Sequence, residues 1–197
     1  MSLTNLDNLD KWPLFVSFYT VNTGYENEIK YLLDSLKQFN LPYNLEGLKS
    51  TGNWVKNCAI KPSFLYKKMN QYHDTPIVWL DADSVVKDIP TLFDKSNTNN
   101  MNDIMCGFLA PELLSGTIYI KNNTKSKEIV SKWNIEQQNN LKTWDQKILQ
   151  TIQQSYKNHF SFLPHSYIKI FDNERMNLDE LPIIQHNQAS RRFKNHV

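Results

Sequence analysis

The chemistry of this chain is most legible at Asp81-Ala-Asp83, which follows the apolar run Ile77-Val-Trp-Leu80 directly and precedes Ser84-Val-Val86. Two carboxylates at i and i+2 on an extended backbone point to the same side. Here they would emerge where a buried strand leaves its sheet. Like charges placed that close repel unless something positive lies between them. A hard divalent cation, Mg²⁺ or Mn²⁺, takes carboxylate oxygens together with the oxygens of a substrate phosphate. A turn carrying two solvated aspartates is the plain alternative. Another carboxylate, Asp145, lies in Thr143-Trp-Asp-Gln146, which reads as a capping box opening a helix that continues through Ile148, Leu149 and Ile152. In a first turn the helix dipole stabilises that anion and lowers its pKa, making it a weak proton acceptor. The basic run Arg191, Arg192 and Lys194 reads, on its own, as a solvated chain end.

The elements that would carry these residues follow from periodicity and punctuation. Leu14 to Tyr19 is aromatic and β-branched enough for a first strand. After Gly24, Tyr25, Ile29, Leu32, Leu33 and Leu36 recur at helical spacing, with Asn22 or Thr23 as candidate N-cap. Tyr43 to Leu48 suggests a second strand, and a helix is expected from about Trp54 to Tyr72, interrupted or restarted at Pro62. Ile77 to Leu80 is a short continuous apolar run, typical of a strand buried on both faces. Two strands joined across Pro111 (Asp103 to Leu109, Leu113 to Ile120) and two helices (Ser126 to Gln138, Trp144 to Gln154) are expected next. Short strands near His159 to Leu163, Tyr167 to Ile170 and Ile183 to Gln185 complete the pattern, and Lys95 to Asn102 reads as a loop. Strands alternating with helices imply parallel pairing and an α/β sheet. Ligands in such sheets bind beyond the carboxyl ends of the strands, where Asp81 falls.

Composition narrows the classes further. A chain of 197 residues with 40% hydrophobic and 21% charged residues suits one domain, residues 1–197, with an ample core. Its 22 basic and 20 acidic residues leave a net charge of +2, which gives no broad basic footprint for nucleic acid. Cys58 and Cys106 form no disulfide framework and suit a reducing compartment. The amino terminus lacks the regions of a signal peptide, and no apolar run could span a bilayer. A cytoplasmic location without a transmembrane segment is expected. Five glycines, none spaced G-x-G-x-x-G, argue against a P-loop or dinucleotide fingerprint.

Several segments in one order resemble the nucleotide-diphospho-sugar glycosyltransferases of the A-type (GT-A) fold. They are Thr20-Val-Asn-Thr-Gly-Tyr25, Lys61-Pro-Ser-Phe, Asp81-Ala-Asp83, Leu114-Ser-Gly-Thr117, Trp144-Asp-Gln146, and His186 followed by Ala189 to Lys194. The resemblance implies one α/β domain with a mixed, mostly parallel sheet flanked by helices. It implies a metal-dependent hexosyltransferase moving a sugar from a nucleoside diphosphate sugar, a UDP-sugar by family habit, to a glycan or other acceptor hydroxyl. By the same resemblance Thr20, Val21, Asn22 and Tyr25 grip the nucleoside, with Tyr25 able to stack on the base. Lys61 falls where relatives carry a basic residue for the donor's phosphates or sugar, and Ala82, Ser115 and Gly116 fall in donor-contacting segments. Asp83 becomes the direct ligand of Mn²⁺ or Mg²⁺, Asp81 bridges to ribose or metal-bound water, and His186 is a candidate third ligand. Asp145 and Gln146 become the catalytic residues, Asp145 binding a sugar hydroxyl or stabilising charge rather than acting as a strong base and Gln146 hydrogen-bonding the donor sugar, while Arg191, Arg192 and Lys194 would neutralise the diphosphate. Plain readings stand beside these: a solvated Lys61, a bulge at Gly116, a core or surface histidine at His186. Asp81-Ala-Asp-Ser-Val85 also resembles the D-x-D-x-[TV] motif of haloacid-dehalogenase-like phosphatases, whose downstream acidic pair has no counterpart here. A nucleotide- or glycan-binding module without turnover is the remaining alternative.

Overall fold

The computed structural model describes residues 2–98, 101–176, 179–193 and 195. Strands β1 (Ser2–Asn5), β2 (Leu14–Val21), β3 (Tyr43–Lys49), β4 (Ile77–Leu80), β6 (Ile104–Leu109), β7 (Glu112–Ile120) and β8 (Phe160–Phe162) form a seven-stranded sheet. Its order is β1-β3-β2-β4-β7-β6-β8. The β3–β2, β2–β4 and β6–β8 pairs are parallel, and the β1–β3, β4–β7 and β7–β6 pairs antiparallel, so the sheet is mixed. A small second sheet, β5-β10-β9, joins β5 (Ser84–Val86), β10 (Ile184–His186) and β9 (Lys169–Ile170).

Strand period 2 divides the core between the two faces of the large sheet. Phe15 and Tyr19 of β2 and Val78 and Leu80 of β4 join one cluster, with Ile29, Leu32 and Leu36 of α1 (Tyr25–Gln38). The alternate residues Leu14, Val16, Phe18, Ile77 and Trp79 join the other. That face is covered by α3 (Lys61–Gln71), α4 (Thr124–Asn139) and α5 (Asp145–Ser155), which pack in succession, α5 closing on β7. The helix expected around Trp54 to Tyr72 divides into α2 (Trp54–Cys58) and α3, with Pro62 in the first turn of α3, where its missing N–H costs nothing.

From β2 the chain crosses one face to β3 and then the other face to β4, so the crossovers diverge between β2 and β4. A ligand crevice opens at such a switch point, beyond the strand ends. Thr20 near the end of β2 and Asp81 just after β4 lie there. The expected N-cap of α1 is corrected: Gly24 holds that position with no side-chain cap, while Thr23 Oγ1 accepts from the Tyr25 N–H at 3.2 Å and donates to the Thr20 carbonyl. Asn22 adopts a left-handed conformation (φ 59°) in the turn between β2 and α1.

The small sheet is anchored to α1 by one buried hydroxyl. Ser35 Oγ accepts from the Val86 N–H at 3.0 Å and donates to the Leu32 carbonyl at 2.8 Å. Ser35→Ala leaves that N–H without a partner and should cost about 1–3 kcal/mol, read as a lower urea midpoint at unchanged m-value. An unchanged midpoint would mean that the amide finds another acceptor.

Candidate active site

Beyond the ends of β2 and β4 lies a cavity of about 240 Å³. Its lining includes Thr20, Tyr25, Trp54, Lys61, Asp81, Ala82, Asp83, Ser115, Trp144, Asp145 and Gln146. Among the expected site residues, Val21, Asn22, Gly116, His186, Arg191 and Arg192 do not line it, and Lys194 lies outside the described residues.

Asp81 and Asp83 converge, but not on an extended backbone. The chain turns there, with the Ser84 N–H donating to the Asp81 carbonyl at 2.9 Å. Asp81 Oδ1 accepts from the Trp79 indole N–H at 2.8 Å, two residues back on the same strand face. Asp83 Oδ2 accepts from the Ala189 N–H at 2.6 Å, which draws the segment after β10 against the turn. Burial, then the neighbouring Asp81 charge, push the Asp83 carboxyl up to about 6.

His186 reaches the same place through the small sheet, where it pairs in register with Ser84. Its Nδ1 lies 3.0 Å from Ser84 Oγ and its Nε2 2.9 Å from Thr117 Oγ1. Burial drives the imidazole down to about 4, so at neutral pH it is uncharged and one ring nitrogen keeps a lone pair. Asp81, Asp83 and His186 each offer a ligand atom, all within 4.8 Å of one another. Gly116 serves this centre rather than facing the cavity. β7 carries extra residues here, since Gly107 pairs with Leu114 while Cys106 pairs with Ile118. A Cβ at Gly116 would stand 2.8 Å from His186 Cε1 and 2.9 Å from Nδ1.

Lys61, at the first position of α3, is not a solvated lysine. Its ammonium lies 2.7 Å from Asp145 Oδ2 and 3.0 Å from Asp81 Oδ1, donates to Ser115 O and Oγ at 3.1 Å, and stands 5.2 Å from the Trp79 ring centroid. Burial opposes the charge, yet Asp145 and Asp81 hold the ammonium above the ordinary lysine range. Ser115 Oγ in turn donates to Asp145 Oδ2 at 2.9 Å. The Lys61 and Asp145 side chains retain only 6% and 5% exposure, whereas Asp81 keeps 38% and remains open to a ligand.

The capping box expected at Thr143 does not form. Trp144 is the N-cap of α5 and no side chain caps the helix. The Thr143 carbonyl accepts from Gln137 Nε2 at 2.7 Å, and Trp133 Nε1 donates to the Asp145 carbonyl at 3.2 Å, so α4 positions this segment. Burial, the largest influence, pushes the Asp145 carboxyl above its usual range against the pull of Lys61, the reverse of the shift expected from a helix dipole.

The arginines are engaged elsewhere, Arg191 with Asp172 and Arg192 with Glu28 at 2.9 Å, and Phe193 of α6 (Ser190–Phe193) packs edge-on to Tyr25 at 5.8 Å. Sequence reasoning missed Trp79, whose two-residue spacing from Asp81 signalled a shared face. It also missed Thr117 and Ser84, whose approach to His186 only strand pairing reveals.

A mixed α/β sheet with carboxylates at its switch point has the architecture of the GT-A glycosyltransferases, and solved structures of that class share the fold. One is a glycosyltransferase involved in the glycosylation of the major capsid of PBCV-1, at 14% identity and TM-score 0.66 over 89% of this chain and 92% of that one. The apo form of GlyE of Streptococcus pneumoniae TIGR4 matches at 18% identity and TM-score 0.62, and this chain spans about half its length (89% of this chain, 54% of that one). An active-site mutant of LgtC matches at 12% identity and TM-score 0.57 over 88% and 86%. Among curated protein sequences nothing matches. The family model for nucleotide-diphospho-sugar transferases covers residues 72–192, more than half of the chain. The chain belongs to that family and is a glycosyltransferase, which sets aside the haloacid-dehalogenase-like phosphatase.

Two outcomes test this geometry. Gly116→Ala pushes a methyl into an imidazole held from both sides and should destabilise by about 1–3 kcal/mol; a wild-type urea midpoint would show that the ring can yield. A histidine whose pKa falls on folding contributes stability that is full above its unfolded value of 6.5 and is lost as pH falls through about 4. Asp83 acts in the opposite sense, its contribution being lost as pH rises through about 6. The Asp83 effect is common to wild type and His186→Gln, so their difference isolates the imidazole. Between pH 7 and pH 4.5, without added metal, wild type should lose on the order of 2–3 kcal/mol more than His186→Gln. Equal losses would mean that His186 titrates normally.

Proposed function

We propose that the chain transfers a sugar from a nucleoside diphosphate sugar, specifically a UDP-sugar, to an acceptor hydroxyl, with a divalent cation held by Asp81, Asp83 and His186. The observation that carries this reading is the charge of the cavity. Among its described lining residues the acidic side chains number three, Asp81, Asp83 and Asp145, against one basic side chain, Lys61. An anionic diphosphate is disfavoured by such an excess of acidic groups, and a doubly charged cation offsets it. The donor set fits: two carboxylates offer hard oxygens and the neutral His186 a nitrogen, a mixture that favours Mn²⁺ over the oxygen-seeking Mg²⁺. When bound, the cation supplies the positive charge that stabilises a diphosphate leaving group.

The chain's own residues divide the remaining work. Thr20, Tyr25 and Ala82 line the cavity and take the nucleoside, the Tyr25 ring stacking on the base. Asp145 and Gln146 take hydroxyls of the donor sugar. Lys61 and Ser115 hold the Asp145 carboxylate in place, and its charge stabilises the positive charge that develops as the anomeric C–O bond breaks. Arg191 and Arg192 could reach a diphosphate only by leaving Asp172 and Glu28, so most of the neutralisation falls to the cation.

The test is thermal unfolding with UDP, GDP, dTDP and CDP, each with Mn²⁺ or with a chelator. UDP at 100 times its dissociation constant should add about 2.7 kcal/mol, and only with Mn²⁺. Asp83→Asn keeps an acceptor for the Ala189 N–H and should abolish that Mn²⁺-dependent gain. A gain of equal size under chelation would overturn the metal role, and a gain with a different nucleotide would replace the donor base.

A further inference from the structure

We infer that Trp144, together with Trp54, forms the platform on which a pyranose ring of the acceptor stacks. The inference rests on the transferase reading above and locates the acceptor side of the same cavity. Trp144 occupies the N-cap of α5, where Ser, Thr, Asn or Asp would satisfy a free N–H, and another residue forgoes about 1 kcal/mol. The indole is also 38% exposed, so neither capping nor core packing accounts for a tryptophan there. Its chain neighbours Asp145 and Gln146 line the cavity, as Trp144 itself does.

Trp54, the first residue of α2, supplies the other wall. The two indoles meet edge to face at 75° with centroids 5.7 Å apart, so their planes form a corner, and both line the cavity. The corner is held from behind. Asn53 caps α2 by accepting from the Lys56 N–H at 3.0 Å. Asn57 accepts from the Thr51 N–H at 2.9 Å and Thr51 Oγ1 at 2.7 Å, and donates to Ser50 Oγ at 3.2 Å.

A pyranose presents a patch of C–H groups on one face and hydroxyls around its edge. An indole face accepts the first. The only lysine or arginine among the described lining residues is Lys61, which is committed to Asp145 and Asp81, so the corner suits a neutral sugar rather than a phosphate. With the nucleoside at Thr20 and Tyr25 and the donor sugar at Asp145 and Gln146, the indole corner of the same cavity is left for the acceptor.

The test is saturation-transfer NMR with the methyl pyranosides of glucose, galactose and mannose, in Mn²⁺ and the nucleoside diphosphate that stabilises wild type. Wild type, Trp144→Ala and Trp144→Phe are compared, and each is titrated with UDP, GDP, dTDP and CDP plus Mn²⁺. At least one pyranoside should bind wild type, Trp144→Ala should weaken it about tenfold, and Trp144→Phe should recover most of the loss. Nucleoside diphosphate affinity should move far less than pyranoside affinity. Equal pyranoside binding by Trp144→Ala and wild type overturns the platform. So does the absence of pyranoside binding in a wild type that takes up its nucleotide, and either result leaves the transferase reading standing. A wild type that takes up no nucleoside diphosphate fails the transferase reading itself, and the platform with it.

Discussion

The Lys61 ammonium, 2.7 Å from Asp145 and 3.0 Å from Asp81, is the contact through which α3, α5 and the end of β4 meet. Withdrawing a lone ammonium from water costs several kcal/mol, so a buried lysine either loses its proton or finds anions. Here it finds two, together with the carbonyl and hydroxyl of Ser115 on β7. Position makes the pairing obligatory. Lys61 begins α3, where the helix dipole disfavours a cation, and Asp145 begins α5, where it favours an anion. Removing one partner of such a pair leaves an uncompensated buried charge, typically worth 3–5 kcal/mol. The site is therefore anchored by the electrostatics that would also act on a substrate.

A second constraint brings the late part of the chain to the same point. β5 is three residues long and begins directly after the Asp81–Asp83 turn, and β10 pairs with it so that His186 lies opposite Ser84. Ser35 fastens β5 to α1, and the Ala189 N–H fastens the following segment to Asp83. The imidazole is fixed between two hydroxyls, and only the missing side chain of Gly116 gives it room. The carboxylates and the imidazole thus rest on a rigid base. The aromatic mouth, with Tyr25 edge-on to Phe193 and Trp54 against Trp144, is built from helix starts and chain ends. Tight positioning at the charge centre and shape at the mouth fit a transferase that holds one donor and recognises a separate acceptor.

The differences from the sequence reading share one cause. The Thr143 capping box competes with side chains from α4, and Gln137 and Trp133 hold the segment through backbone carbonyls. Asp145 would be lowered by a helix dipole at a surface, but burial outweighs that field. Lys61 looks like a solvated helix residue when only its neighbours in sequence are read. Arg191 and Arg192 look free until Asp172 and Glu28 come into range.

The sequence by itself determined the alternation of strands and helices, the buried strand Ile77–Leu80 ending in Asp81-Ala-Asp83, and the ordered segments of a nucleotide-diphospho-sugar transferase. These are local signals, set by strand period, helical spacing and residue types within a few positions of one another. Even the missed bond from Trp79 to Asp81 was legible in that sense, since two residues on one strand share a face. Only the tertiary structure decided that Lys61 belongs to Asp145, that His186 lies between Ser84 and Thr117, and that Trp144 stands against Trp54. Each of these contacts joins residues 69 or more positions apart. Burial and charge at such contacts depend on what the fold places opposite a residue, which no local pattern encodes.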